Sequence, residues 1–323
     1  MIKIGKIWLE DIGDKTRANC KININNEEKV IWFEVDKKYG GYLCIERSDA
    51  YVIGLLNYAL RNNEDIECET PVTEELLYNI NTILIPSLVN YADSFKLIEV
   101  KAKTSPALEE GNAIGTGCSC GVDSFSTIYR HLNSKYNGLD ITHLCLNNVG
   151  AFNDCYQDYG QEKVKEERYK ITDNVAKELN LELIKTDSNF STIILQDHLQ
   201  THTYSSIFAV YMLQKFWKKY YYASSGHDFD KFSLKNNDNN SSAMYELLSL
   251  QCFSTEHLRI YSDCGEMTRI EKLKSIVDFT VAQKYLHVCL RQPTNCTKYC
   301  SKCMRTLDGE KDADRFSARP SPL

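Results

Sequence analysis

From residue 111 onward the chain alternates short apolar runs with longer amphipathic ones, and this alternation constrains the fold more than any other feature. Runs at 142–147, 181–185, 220–225 and 258–262 read as strands, while 159–179 reads as a long polar-faced helix. The stretch 204–220 reads as an aromatic-rich helix, with Tyr204, Phe208, Tyr211, Phe216 and Trp217 as its core-facing side. Such alternation predicts a doubly wound parallel sheet with helices on both faces, because parallel neighbours require a crossover connection. Ligands in sheets of this kind gather at the carboxyl ends of strands near the topological switch point. The segments expected there are 118–124, Asn147 to Gly150, Asp187 to Asn189, Ser224 to His227, and 263–268. Each by itself reads equally well as a plain turn, and their shared placement is what favours a site.

The segment from Gly115 to Ser126, GTGCSCGVDSFS, is the most specific of these. Ala113 to Gly117 suits the end of a buried strand, and Phe125, Ile128, Tyr129 and Leu132 recur at helical spacing. A strand therefore turns sharply into a helix whose first N–H groups lack partners and carry the positive end of the helix dipole. Small residues allow a phosphate to approach, and Ser119 and Ser124 add hydroxyl donors. Asp123 beside phosphates makes chemical sense with Mg²⁺ between them. A Walker loop is excluded because no lysine occurs between Lys103 and Lys135. A dinucleotide fingerprint would place a third glycine where Cys120 stands, and a bare Gly/Ser turn capped by Asp123 or Ser124 is the simplest alternative. Cys118 and Cys120, two apart on an extended segment, would point to one side, either as packing groups or as reactive thiols.

Ser119-Cys120-Gly121-Val122-Asp123-Ser124 resembles the PP-loop of the ATP pyrophosphatase (adenine nucleotide alpha hydrolase-like) superfamily, Ser-Gly-Gly-x-Asp-Ser, with Cys120 replacing the first glycine. The resemblance extends over about residues 111–306 and is nearest in style to the queuosine-precursor nitrile synthase and thiolase groups. It implies a HUP-type sheet and ATP bound by Gly117, Ser119, Cys120, Gly121, Val122, Asp123, Ser124, Asn147 and Arg269, with Mg²⁺. It further implies cleavage of ATP between its α and β phosphates, adenylating a carboxylate or amide oxygen of a free or carrier-bound substrate. A sulfur nucleophile would follow, with Asp123, Cys118 and Cys120 as the catalytic residues, and ammonia is the alternative donor. A tRNA-modifying enzyme and a non-catalytic nucleotide-binding protein are the remaining readings.

A second strong signal is Cys289, Cys296, Cys300 and Cys303, three of them within eight residues. Four thiolates would enclose one Zn²⁺ in a closed structural site, with free or redox thiols and an iron–sulfur cluster as alternatives. The arrangement is similar to the zinc-binding cysteines of the nitrile synthase group, down to the trailing Lys302-Cys303-Met304-Arg305-Thr306.

Residues 1–105 read as a separate α+β domain of unknown role, with strands at 29–35 and 42–45 and helices at 50–61 and 73–90. A linker at 103–110 would lead to the ATP-binding domain at 111–286, the cysteine segment at 287–307 and a polar tail at 308–323. The Thr268-x-x-Glu271 pair has the form of a capping box, which does not account for Arg269; the resemblance implies that this stretch lies near the nucleotide and substrate, where Arg269 or Lys272 would bind phosphate. His198 and His202 are read as surface or hydrogen-bonded histidines rather than metal-binding ones, and His227 beside Asp228 as a site candidate.

The 323 residues carry 38 basic and 44 acidic side chains, a net charge of −6 without a basic block, which argues against a general nucleic-acid surface. Glu10 and Asp11 interrupt the N-terminus before any secretory-type apolar run, and no stretch is long and apolar enough for a membrane span. A cytoplasmic location is therefore expected, where the thirteen cysteines act as ligands, reactive thiols or core residues rather than disulfides. A homo-oligomer is compatible with this composition.

Overall fold

A computed structural model describes residues 1–132, 134–150, 152, 161–225, 229, 241–289, 295, 303, 304 and 306. The chain opens with an antiparallel meander, β1 (Ile2–Ile12), β2 (Lys15–Ile24) and β3 (Glu27–Asp36). Alternation puts Ile4, Ile22 and Phe33 on the buried face. Asn25 and Asn26, both at positive φ (55° and 63°), close the two-residue turn between β2 and β3. A 3₁₀ turn, Lys37–Tyr42, follows, so the expected strand at 42–45 does not form. The Cys44 N–H instead donates to the Met212 carbonyl at 2.8 Å, binding that segment to the end of a helix.

Next come α1 (Asp49–Asn62), β4 (Ile66–Cys68) and β5 (Val72–Thr73). The helix expected at 73–90 is one helical run made of α2 (Glu74–Tyr78), a π-helical stretch (Asn79–Leu84) and α3 (Ile85–Tyr91). Its wide turns lie just before Pro86, which has no N–H to give to the ladder. Two short strands, β6 (Val100–Lys101) and β7 (Thr104–Ser105), complete this part.

The alternating part begins with β8 (Ala113–Gly117), α4 (Val122–Arg130), β9 (His143–Asn148), α5 (Gln161–Leu179) and β10 (Glu182–Ser188). It continues through α6 (Phe190–Ile194), α7 (His198–Met212) and β11 (Trp217–Ala223). A 3₁₀ turn, Ser242–Tyr245, then runs into α8 (Glu246–Phe253), followed by β12 (Arg259–Asp263), α9 (Arg269–Ser275) and α10 (Thr280–Tyr285). The helix expected to reach 220 stops at Met212, and Trp217, placed on it by the sequence, instead opens β11. Aromatic side chains suit a strand here, and Trp217 packs across Gly115 of β8, where a Cβ would lie 2.6 Å from the indole ring.

Ten strands form one sheet in the order β12-β11-β8-β9-β10-β3-β2-β1-β4-β6, and six of its nine pairings are parallel. The fold is therefore α/β around a large, mostly parallel sheet. β3 pairs directly with β10, Val35 opposite Thr186, so the sheet runs without a break from the N-terminal meander into the alternating part.

Side chains sort by strand parity. Ala113, Cys145, Ile184 and Trp217 join one apolar core with α1 and α7. Ile114, Leu144 and Tyr221 join a second with α4, α5, α9 and α10. Helices thus cover both faces of the sheet. No helix among the described residues is long and apolar enough to cross a membrane.

Candidate functional site

The strand order itself locates a crevice. From β8 the chain steps to β9 and β10 on one side, then returns through α7 to place β11 on the other side of β8. α4, which leaves β8, packs in the second core, whereas α7, which leads into β11, packs in the first. The carboxyl ends of β8 and β11 therefore part at a topological switch point, where sheets of this type bind ligands. The loop after β8 and Ser224 after β11 border it.

The loop is held from three sides. The Cys118 N–H donates to the Cys145 carbonyl at 2.7 Å, the His287 N–H donates to the Cys120 carbonyl at 2.8 Å, and Arg168 of α5 donates to the Ser119 carbonyl. Within it the Gly121 N–H donates to Ser119 Oγ at 3.4 Å, and Ser124 Oγ donates to the Gly121 carbonyl at 3.0 Å. No side chain caps the first turn of α4, so capping by Asp123 or Ser124 does not account for the loop. The first N–H groups of α4 therefore have no side-chain cap to accept from them.

Cys120 adopts the left-handed conformation, φ +57°, that favours glycine. The backbone is thus of the type that a glycine at this position would adopt most easily. Its side chain is fully buried, and Cys118 is 1 % exposed, their sulfurs 4.0 Å apart. Contact with Cys120, together with burial, raises the Cys118 thiol, while Cys120 is lowered by the Cys118 thiol and, more weakly, by Arg168. Both thiols face the second core beneath the loop.

Asp123 accepts from Arg269 Nη1 at 3.1 Å and from Lys272 Nζ at 3.3 Å. Lys272 is fully buried and also donates to the Ser224 carbonyl at 2.7 Å. The Thr268–Glu271 capping box is formed as expected and sets the start of α9, which aims Arg269 and Lys272 at α4. Because each Asp123 oxygen is engaged by a fixed cation, the carboxylate does not fit the role of a Mg²⁺ ligand in this arrangement. Two side-chain charges stand where the metal's charge was expected.

Glu246, absent from the sequence reading, lies near Ser224, Ser225, Lys272 and Asp123. Only 3 % exposed, it opens α8, and neither of its oxygens has a hydrogen-bond partner among the described residues. The Ser224 hydroxyl, also without a partner, and the Ser225 backbone are near enough to feel its charge but lie outside hydrogen-bonding geometry. Burial pushes its carboxyl up to about 7; Ser224, Lys272 and Ser225 pull it down, and Asp123 adds to the rise. Arg168 was also missed: it is 3 % exposed, and its Nη1 has no partner.

The other expected residues spread along the strand ends. Asn147 turns toward β10, accepting from Thr186 Oγ1 at 2.9 Å, while Asn148 donates to Asp187 at 2.7 Å and Lys165 donates to the same carboxylate at 3.0 Å. Gly117 ends β8 with 3.8 Å between a hypothetical Cβ and the Tyr220 hydroxyl, so nothing forces glycine there. His202 pairs with the Tyr222 hydroxyl at 3.0 Å, in line with a hydrogen-bonded histidine.

Asp263 at the end of β12 is lowered: burial would raise it, but His131, Cys264 and Arg130 outweigh that. Cys289 and Cys303 are 1 % and 2 % exposed and share the core beneath the loop, while Cys296 and Cys300 lie outside the described residues, as do His227 and Asp228. Comparison with protein-family models, curated proteins and solved structures finds no match.

Proposed function

We propose that the chain is a PP-loop, HUP-type enzyme that splits ATP between its α and β phosphates and transfers the adenylyl group to a carboxylate or amide oxygen. The observation that carries this reading is the meeting of the uncapped start of α4, Arg269 and the buried Lys272 at the switch point between β8 and β11. A departing pyrophosphate is the kind of anion that such a set of N–H donors and cations would stabilise, and stabilising it is the main electrostatic task of the step. The loop N–H groups would take the β and γ phosphates. Lys272 and Arg269 would neutralise the charge that builds on the bridging oxygen. Asp123 acts as a positioning residue that holds both cations in place.

The four cysteines Cys289, Cys296, Cys300 and Cys303 would hold Zn²⁺ as a closed structural staple, for which the buried placement of Cys289 and Cys303 speaks. The metal would brace the segment that carries His287 against the loop through its bond to Cys120. A sulfur or a nitrogen nucleophile would then attack the adenylate, and the contact between Cys118 and Cys120 beside Arg168 speaks for sulfur.

Incubating the protein with ATP and a mixture of carboxylic acids and carboxamides tests the reading. AMP and pyrophosphate are expected, and ADP with inorganic phosphate would refute it.

A further inference from the structure

Glu246 is the group in the crevice that the adenylation step leaves unexplained. Buried polar atoms are nearly always satisfied, and a carboxylate that is not satisfied asks for a ligand or a proton. Among the described residues the groups facing it come from three elements: Ser224 and Ser225 after β11, Asp123 of α4 and Lys272 of α9, with Tyr222 of β11 also sensing its charge. Lys272 is committed to Asp123 and to the Ser224 carbonyl, so it does not neutralise Glu246 by direct pairing. The switch point thus holds Asp123 with its two cations on the loop side and a carboxyl without a hydrogen-bond partner among the described residues on the α8 side.

We propose that Glu246 is the proton acceptor for the nucleophile that attacks the adenylate, and that this nucleophile is therefore a protonated nitrogen, ammonium or a primary amine, rather than hydrosulfide. The inference rests on the adenylation reading. A buried carboxylate attracts a cation and repels the hydrosulfide anion. An ammonium nitrogen has no free electron pair until it loses a proton. Glu246 takes that proton, the freed pair forms the C–N bond, and the C–O bond to the phosphate breaks, so that AMP leaves with the electron pair. A second proton goes from nitrogen to solvent, completing an amide from a carboxylate acceptor. A carboxyl that titrates near neutral pH suits this duty. Cys118 and Cys120, at 1 % and 0 % exposure, lie below the loop rather than across the crevice.

The experiment compares full-length wild type, Glu246→Gln and Glu246→Asp with the mixture of carboxylic acids and carboxamides as acceptor. Three rates are measured: exchange of labelled pyrophosphate into ATP, AMP release driven by ammonium chloride or by sodium sulfide, and hydroxamate formation from hydroxylamine. Hydroxylamine is largely neutral at pH 7 and needs no proton acceptor to attack. Glu246→Gln should keep exchange within about threefold, lose ammonium-driven AMP release by about 100-fold, and keep hydroxamate formation, while Glu246→Asp recovers part of the loss. Equal loss with ammonium and hydroxylamine would overturn the proposal, because a structural defect does not distinguish the two. Faster wild-type turnover with sulfide than with ammonium would overturn it as well. Absence of exchange in wild type itself would refute the adenylation reading, and the role of Glu246 with it.

Discussion

Asp49 and Glu246 each stand at the first residue of a helix and each is buried, yet their surroundings treat them in opposite ways. In the N-terminal region Asp49 accepts from the Thr73 N–H at 2.8 Å and from the Thr73 hydroxyl at 2.6 Å, fastening α1 to β5. At the switch point Glu246 has no hydrogen-bond partner among the described residues, with the equally unpartnered Ser224 hydroxyl nearby. Burial raises both carboxyls; for Asp49 the two bonds from Thr73 offset part of that cost, whereas Ser224, Lys272 and Ser225 lower Glu246 without coming within hydrogen-bonding geometry of its oxygens. A satisfied buried carboxylate holds structure together. An unsatisfied one lowers stability, and it is this cost that the role proposed for Glu246 would explain.

The comparison makes opposite claims about stability. Asp49→Ala removes two hydrogen bonds and strands the Thr73 donors in the core, so urea denaturation should show a loss of about 3 kcal/mol. A loss under ~1 kcal/mol would mean that the Thr73 contacts do not anchor α1.

Glu246→Gln should go the other way at alkaline pH. The folded carboxyl titrates at about 7, above the roughly 4.3 of an unfolded chain. The folded state therefore holds its proton more tightly. The associated stability is fully present below about pH 4 and falls by on the order of 3 kcal/mol as pH rises through 7. The Gln variant should lack this decline and be more stable than wild type by about 1 kcal/mol at pH 8, after the cost of burying an unpaired amide. Denaturation midpoints at pH 5 and pH 8 measure the difference, and parallel slopes for the two proteins would remove the buried ionisation from the account.

The smallest effect is expected at Cys120. Replacement by glycine relieves about 1 kcal/mol of left-handed strain and loses a similar amount of buried packing. Cys120→Gly should thus lie within about 1 kcal/mol of wild type and keep pyrophosphate exchange. Loss of exchange in a folded Cys120→Gly protein would give the thiol a chemical role.

Much of this arrangement is legible in the sequence where local signals and tertiary structure agree. The spacing of strand and helix patterns after residue 111 yields the parallel sheet, and Thr268 with Glu271 yields the start of α9. Strands β1 and β2 are harder to read because Lys3, Lys6 and Lys21 are interspersed with exposed Trp8 and Leu9, although Ile2, Ile4 and Ile22 mark the buried face. Helix α7 was drawn too long because aromatic residues read alike on a helix face and in a buried strand. Arg168 and Glu246 gave no local signal at all. Each is an ordinary charged residue on its helix, and only the packing of α5 beside the loop and of α8 beside Ser224 brings it to the crevice.

Exchange of labelled pyrophosphate into ATP, measured for wild type and Asp123→Ala with an acceptor mixture present, tests the central claim most directly. Wild type should exchange, and the variant, with Arg269 and Lys272 no longer held, should fall by about 100-fold or more while remaining folded. Equal exchange by the two proteins, or ADP as the only nucleotide product of wild type, would contradict the assignment of adenylation to this switch point.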